Sequence, residues 1–134
     1  MNAPAPPSQA LPAPAPWILV VDDNGHMAEM MALVLREHGW PVVVADGAES
    51  ANARIASART PPALLICDVI MGKTDGLELT RRLLAQIPRL KAIVISAHLA
   101  EESWWPADLR ACPFLPKPFR NEQLVEAVRA ALAG

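Results

Sequence analysis

The run Trp17-Ile-Leu-Val-Val21 is continuously apolar and is followed at once by Asp22 and Asp23. Apolar runs of this length without alternation are typical of strands that are buried on both faces of a parallel sheet. The two aspartates place charge at the carboxyl end of that strand, where open α/β sheets carry their functional sites. The run therefore predicts a central strand with a polar site at its end.

Apolar runs and amphipathic stripes alternate along the rest of the chain. The stripe that starts at Met27 has helical spacing, with Asn24 as its expected N-cap and Gly39 at its end. A last helix is expected after Asn121, which is its candidate N-cap. The other strands are expected at 41–45, 63–67, 92–95 and 114–116, with helices between them and a short, less clear helix at 107–111.

Strands that alternate with helices imply right-handed crossovers and a parallel sheet. We therefore expect an α/β fold, a (βα)5 doubly wound five-stranded parallel sheet in the order 2-1-3-4-5, which is flavodoxin-like. Pro116 removes a backbone donor inside the last predicted strand. That strand is therefore expected at an edge of the sheet, as this order requires.

Composition and charge exclude several classes of protein. The chain has 134 residues, of which 52% are hydrophobic, and a formal net charge of −2. These values argue against a disordered chain and against a basic surface for nucleic acid. No apolar run reaches the roughly 18 residues of a membrane span, and no secretory signal is recognisable. Cys67 and Cys112 do not form a disulfide framework, so a cytoplasmic protein with reduced thiols is expected.

The first 16 residues differ from the rest of the chain. They contain six prolines and five alanines and no charged side chain. Such a segment cannot bury a core and lacks many backbone donors. We expect residues 1–16 to form a disordered tail and residues 17–134 to form one domain.

Acidic side chains follow two strands that the expected order makes neighbours. Asp22 and Asp23 follow the first strand, and Asp68 follows the third. Neighbouring strands lie about 4.8 Å apart, so the three carboxylates should share one pocket, where like charges require a proton or a cation. An all-oxygen site suits Mg²⁺, and no Cys–His spacing indicates zinc. A single aspartate here is more often a helix cap, but three favour a metal site.

A hydroxyl and a lysine are expected at the same edge of the sheet. Ser96 ends the fourth strand and Lys117 follows the fifth. A lysine beside a metal-bound carboxylate serves as a point charge for a phosphoryl group, and a hydroxyl can bind another phosphoryl oxygen. Taken singly, each is more often a turn residue or a solvated charge. Together with the carboxylates they predict phosphoryl transfer to a carboxylate, which gives an aspartyl phosphate.

These residues resemble the receiver domain of bacterial two-component response regulators. The resemblance covers essentially all of residues 17–134. It rests on Val20-Val-Asp-Asp23, on Leu64-Leu-Ile-Cys-Asp68 followed by Met71 and Thr74-Asp-Gly76, on Ile95-Ser-Ala97 and on Phe114-Leu-Pro-Lys-Pro-Phe119. The order of these motifs and their spacing are specific, whereas any one of them alone would be weak.

The resemblance implies a role for each acidic residue. Asp68 resembles the phosphoacceptor. Asp22 and Asp23 resemble the acidic pair that holds Mg²⁺ together with the Asp68 carboxylate and the Ile70 backbone carbonyl. Lys117 resembles the lysine that binds the phosphoryl group.

The resemblance also implies a conformational switch. Ser96 resembles the switch hydroxyl, which turns towards the phosphoryl group. Phe114 stands where an aromatic residue changes rotamer with that switch. The Lys117–Pro118 peptide bond would be cis, as in most relatives.

Two regions depart from the family pattern. Gly72 follows Met71 where a proline is usual, so the loop beyond Asp68 is expected to be more mobile. The usual Gly-Ala before the fifth strand is replaced, and the segment Glu101-Glu-Ser-Trp-Trp-Pro106 precedes it. The fourth helix of the family is therefore expected to be short, shifted or partly unwound.

The implied function is that of a phosphoacceptor response regulator and not of a classical enzyme. A sensor histidine kinase or a histidine phosphotransfer protein would phosphorylate Asp68, and a downstream effector protein would bind the phosphorylated form. Because the chain ends at Gly134, no DNA-binding output domain is expected. Trp104 and Trp105 are candidate partner-interface residues, with core packing as the alternative. Self-association into a homodimer is left open.

Other functions compete with this interpretation. A phosphatase of the haloacid dehalogenase type also uses a strand-end aspartate and Mg²⁺, but Ile70 stands where that class repeats an aspartate, and no cap segment is visible. A flavodoxin-like cofactor carrier needs a glycine- and hydroxyl-rich phosphate loop, where this chain has Asp22 and Asp23. A receiver-like interaction module that acts without phosphorylation, and a phosphate shuttle or sink, fit the same residues.

Overall fold

The computed structural model describes residues 16–96, Leu109 and residues 111–133. These residues contain one sheet of five parallel strands in the order β2-β1-β3-β4-β5, which confirms the expected doubly wound α/β fold. The strands are β1 (Ile18–Val21), β2 (Val42–Ala45), β3 (Leu64–Asp68), β4 (Lys91–Ser96) and β5 (Phe114–Pro116), and the helices are α1 (Gly25–Glu37), α2 (Ala48–Ser57), α3 (Gly76–Gln86) and α4 (Asn121–Ala133).

The strands are apolar because both faces of the sheet are covered. All four residues of β1 and all five of β3 are buried. Alternate side chains point to opposite faces, where α1 and α4 cover one face and α2 and α3 cover the other. β5 is an edge strand, so Pro116 is tolerated within it.

The register of the sheet brings the polar residues to one edge. Val21 pairs with Cys67, so Asp22 and Asp68 stand one residue beyond a matched pair on neighbouring strands. Ser96 pairs with Pro116 at the end of the other half of the sheet, directly before Lys117. The carboxyl ends of β1, β3, β4 and β5 thus meet, as the sequence predicted.

The ends of the elements agree with most of the sequence signals, with two corrections. Asn24 caps α1, its side chain accepting the Met27 N–H at 3.1 Å. Asp68 is the last residue of β3 instead of following it, because the β3–β4 pairing extends to Asp68. Asn121 is the first residue of α4 and not its N-cap, since the Gln123 side chain bonds the Arg120 N–H, which stands before the helix.

Several predictions fall outside the described residues. They concern most of the proline-rich tail, most of the short helix at 107–111, and both Trp104 and Trp105. Leu109 is described and is buried. None of the described helices is long and apolar enough to cross a membrane.

Candidate functional site

Asp22 and Asp68 are buried carboxylates at the carboxyl edge of the sheet. Asp22 is fully buried and Asp68 is 6% exposed. Their Oδ1 atoms accept backbone N–H groups two residues further on, from Asn24 at 2.9 Å and from Ile70 at 3.1 Å. These local bonds fix both side chains and leave the Oδ2 atoms facing the site.

Lys117 connects the two buried carboxylates. Its Nζ donates to Asp22 Oδ2 at 3.0 Å and to Asp68 Oδ2 at 2.9 Å. The lysine follows β5, and its own N–H donates to the Ser96 carbonyl at 2.8 Å. One ammonium group therefore joins the ends of β1, β3 and β5 around a common space.

Asp23 completes an acidic cluster. One carboxylate oxygen from each of Asp22, Asp23 and Asp68 lies within 4.8 Å of the others. Asp23 is exposed, unlike the other two, and its Oδ2 accepts the Gly72 N–H at 2.7 Å. The structure thus brings together the three carboxylates that the sequence assigned to one pocket.

Burial and charge act against each other in this pocket. Burial raises the pKa of Asp22 above its ordinary value, although the Asn24 N–H and Lys117 oppose this shift. For Lys117, burial acts to lower the pKa, but the hydrogen bonds and charges of Asp68 and Asp22 outweigh it and raise the pKa. The ammonium form of Lys117 is therefore held firmly at neutral pH.

The donor set fits a divalent oxygen-binding cation. Three carboxylates against one ammonium leave a formal excess of two negative charges when all are ionised. Mg²⁺ prefers carboxylate, carbonyl and water oxygens, and it is commonly held by one or two carboxylates. The backbone carbonyl of Ile70 is the fourth expected ligand. Ile70 lies two residues beyond Asp68, and its N–H donates to the Asp68 carboxylate.

The two expected switch residues lie on neighbouring strands. Ser96 is fully buried at the end of β4. Phe114 begins β5, pairs with Val94 and packs half-buried against Val69 and Val94. Ser96 thus lies at the carboxyl edge of the sheet, whereas Phe114 begins the neighbouring strand, whose other end leads to Lys117.

The segment from Thr74 to Gly76, where the loop after β3 meets the start of α3, makes contacts that the sequence analysis missed. Gly76 lies so close to β3 that a Cβ would overlap the Asp68 carbonyl oxygen. The Thr74 hydroxyl oxygen accepts the Ala48 N–H at 3.2 Å, and a Cβ on Gly47 would stand 2.9 Å from it. The Asp75-Gly76 pair, a common turn signal, was the available hint.

The Lys117–Pro118 peptide bond is cis, as the resemblance implied. Cys67, which precedes Asp68, is fully buried, and burial raises the pKa of its thiol to about 12. That thiol is therefore neutral and inert beside the site.

Comparisons with known proteins match most of the chain to one family. A family model described as "Response regulator receiver domain" matches residues 18–129. The response regulator MprA of Mycobacterium ulcerans (strain Agy99) is 37% identical over 116 residues, which are 86% of this chain and 49% of that protein. The chain spans about half the length of the curated relatives it matches.

Solved structures are similar over the same region. The receiver domain of NtrX from Brucella abortus is 33% identical, with a TM-score of 0.77 over 87% of this chain and 98% of that one. A CheY-like receiver domain protein from Methanospirillum hungatei JF-1 has a TM-score of 0.79 over 90% of this chain and 95% of that one. At 23% identity, the second likeness concerns the fold alone.

Proposed function

Since the chain belongs to the family of response regulator receiver domains, we propose that Asp68 accepts a phosphoryl group from a phosphohistidine on a partner protein. The donor is a sensor histidine kinase or a histidine phosphotransfer protein. In this step the P–N bond of the donor breaks, the imidazole nitrogen keeps the electron pair, and a bond forms between phosphorus and an Asp68 oxygen.

The contact between Lys117 and Asp68 is the observation that carries this proposal. The two charged groups are 2.9 Å apart at the edge of the sheet, and Lys117 is held there by Asp22 as well. A fixed ammonium group beside the acceptor stabilises the negative charge that develops on the transferred phosphoryl oxygens. Its raised pKa keeps that charge in place at neutral pH.

The acidic cluster supports a magnesium requirement. We assign Asp22, Asp23, Asp68 and the Ile70 carbonyl as the residues that hold Mg²⁺. When bound, the ion supplies a further positive charge for the phosphoryl oxygens. The protein holds the Asp22 and Asp68 carboxylates in place for the ion, because each accepts a hydrogen bond from a backbone N–H group.

The phosphorylated form is proposed to act by changing its protein partners. The Ser96 hydroxyl would turn towards the phosphoryl group, and the Phe114 ring would fill the space that the hydroxyl leaves. This shift favours one of two surfaces for a downstream effector protein or a second copy of the chain. Trp104 and Trp105 are the proposed contact residues. We place this exchange in the cytoplasm, where Cys67 and Cys112 stay reduced.

Intact-mass spectrometry with acetyl phosphate as donor tests the proposal. We expect wild-type protein to gain one phosphoryl group only with Mg²⁺ present, and Asp68→Asn to gain none. Asp46→Asn is a matched control, because Asp46 is an exposed aspartate after β2 and outside the cluster. An adduct that survives in Asp68→Asn would contradict Asp68 as the acceptor.

A second donor separates the competing interpretations. If acetyl phosphate gives no adduct, a phosphohistidine donor should still phosphorylate Asp68. No adduct from either donor, in a protein that binds Mg²⁺, would favour an interaction module that acts without phosphorylation. Rapid return of the group to the phosphotransfer protein would instead favour a phosphate shuttle or sink.

A further inference from the structure

The backbone N–H of Gly72 donates to Oδ2 of Asp23 at 2.7 Å, across 49 residues of chain. We propose that this hydrogen bond positions the Asp23 carboxylate for Mg²⁺ binding, which makes Gly72 a positioning residue of the site. The inference rests on the proposed function of the acidic cluster. It assigns a role to a residue that the family pattern does not explain.

Asp23 needs such a partner more than the other two aspartates do. Asp22 and Asp68 are buried, and each accepts a neighbouring N–H and the Lys117 ammonium group. Asp23 is exposed, and Gly72 is the donor that the described part of the chain provides for it. An exposed carboxylate without a partner samples several rotamers. Ordering it beforehand removes that entropic cost from metal binding.

The same bond orders a second proposed ligand. Gly72 lies two residues beyond Ile70, whose N–H is bound to Asp68 Oδ1 at 3.1 Å. The backbone N–H groups of Ile70 and Gly72 therefore each donate to a carboxylate, that of Ile70 to Asp68 and that of Gly72 to Asp23. The Ile70 carbonyl stands between these two anchors, so the bond to Asp23 restrains the loop and the carboxylate together.

The identity of residue 72 determines whether this donor exists. The proline that is usual after Met71 has no N–H and cannot make the bond. The glycine is not required by space, since a Cβ would lie 3.5 Å from Asp23 Oδ2, which is ordinary contact. Its φ lies outside the left-handed region, so alanine also fits. Comparing Gly72→Pro with Gly72→Ala therefore distinguishes the effect of losing the N–H from the effect of adding a side chain.

The test is a Mg²⁺ titration followed by ¹H–¹⁵N NMR on wild type, Gly72→Pro and Gly72→Ala. We expect Gly72→Pro to raise the Kd for Mg²⁺ about three- to tenfold, which corresponds to the loss of one hydrogen bond of typical net strength. Gly72→Ala should stay within about twofold of wild type, because it keeps the N–H. Phosphorylation of Gly72→Pro by acetyl phosphate should be slower at low Mg²⁺ and should recover at saturating Mg²⁺.

A double-mutant cycle shows whether the effect passes through Asp23. In an Asp23→Ala background, Gly72→Pro should weaken Mg²⁺ binding no further. An equal loss in both backgrounds would overturn the inference, and so would an equal loss in Gly72→Ala and Gly72→Pro. If Gly72→Pro does not fold, hydrogen exchange of the Gly72 amide provides the test. Its protection against exchange should be lower in Asp23→Ala than in wild type. Equal protection in the two proteins would overturn the inference.

The outcomes also separate this inference from the proposed function. Suppose that the Mg²⁺ affinity depends on the Gly72 N–H but no donor phosphorylates Asp68. This result would support the inference and contradict the phosphoacceptor role. Phosphorylation at Asp68 together with equal Mg²⁺ affinity in wild type, Gly72→Pro and Gly72→Ala would contradict the inference but not the phosphoacceptor role. Wild-type protein that binds no Mg²⁺ overturns both.

Discussion

The Lys117 ammonium group lies between Asp68 and Asp22, 2.9 and 3.0 Å from their Oδ2 atoms, although 95 residues separate Lys117 from Asp22. The side chains of both aspartates are almost completely buried, and that of Lys117 is 14% exposed. A pair of buried carboxylates without this cation would repel each other in a poorly solvated space. The Lys117 ammonium group therefore offsets the repulsion between the two carboxylates, and in the proposed function it also supplies positive charge for phosphoryl transfer.

We expect Lys117→Met to separate these two roles of the lysine. Loss of the ammonium group should slow phosphorylation of Asp68 by acetyl phosphate at least about 100-fold, as for other preorganised charges at a transition state. Mg²⁺ affinity should rise, because a positive charge next to the carboxylates is removed. Mass spectrometry gives the first quantity and calorimetric titration the second.

Lys91→Met is the matched control for the lysine variant. Lys91 is exposed at the start of β4, at the end of the strand away from the acidic pocket. This variant should be phosphorylated at the wild-type rate and bind Mg²⁺ equally well. A wild-type phosphorylation rate in Lys117→Met would show that the contact with Asp68 is structural only.

The buried Asp22 should give the metal-free protein a characteristic pH dependence. Burial raises the pKa of Asp22 in the native state, so the native state binds that proton more tightly than the unfolded chain. This group's contribution to the free energy of unfolding therefore increases as pH falls from neutral towards the native pKa. Asp22→Asn should remove that pH dependence and raise the free energy of unfolding at neutral pH, because it removes an ionised carboxylate that burial disfavours. Urea denaturation in chelator, between about pH 5 and 8, measures both effects.

Added Mg²⁺ should make wild type more stable than Asp22→Asn at neutral pH, which reverses their order in the absence of the ion. Wild type should gain stability from the ion at neutral pH and lose that gain on acidification, since protonated Asp22 no longer binds metal. Asp22→Asn should gain much less. Equal stabilisation of both proteins by Mg²⁺ would argue that Asp22 is not a ligand.

The close contact between Gly76 and β3 predicts a severe stability defect for Gly76→Ala. The added Cβ would overlap the Asp68 carbonyl oxygen and stand 2.9 Å from the Val69 Cα, and neither backbone atom can move away cheaply. We expect a loss of about 3 kcal/mol or more in the free energy of unfolding. Thermal denaturation should show a clearly lower Tm.

Gly25→Ala is a suitable comparison for the glycine variant. Gly25 begins α1, and a Cβ there would meet nothing within 4 Å. Its effect should stay within about 0.5 kcal/mol. If both variants unfold at the same temperature, the contact between Gly76 and Asp68 does not constrain the fold as the structure indicates.

The proposed switch predicts that Phe114 responds to phosphorylation through Ser96. Ser96 ends β4, Phe114 begins the neighbouring strand β5, and the Phe114 side chain packs against Val94. In ¹³C NMR of the Phe114 ring, phosphorylated wild type should show a shifted signal. Ser96→Ala should accept the phosphoryl group and show a much smaller shift at Phe114, because the hydroxyl that would move is absent. An unchanged shift in Ser96→Ala would contradict this coupling.

From the sequence alone, the architecture and most of the site were predictable. Apolar runs and helical stripes are local signals, because they depend on residues only a few positions apart. They placed the five strands, and the strand order then brought Asp22, Asp68 and Lys117 to one edge of the sheet. The errors were small ones at element ends: Asp68 belongs to β3, and Asn121 begins α4.

Only the tertiary structure could decide which atoms meet within the site. The Asp23–Gly72 hydrogen bond, the position of Lys117 between two carboxylates and the close approach of Gly76 to β3 are absent from the local pattern. The bonds at Asp23 and Lys117 span 49 to 95 residues and depend on backbone positions set to within a fraction of an ångström. Periodicity and motif spacing carry information about which face and which edge a residue occupies, but not about distances at that scale.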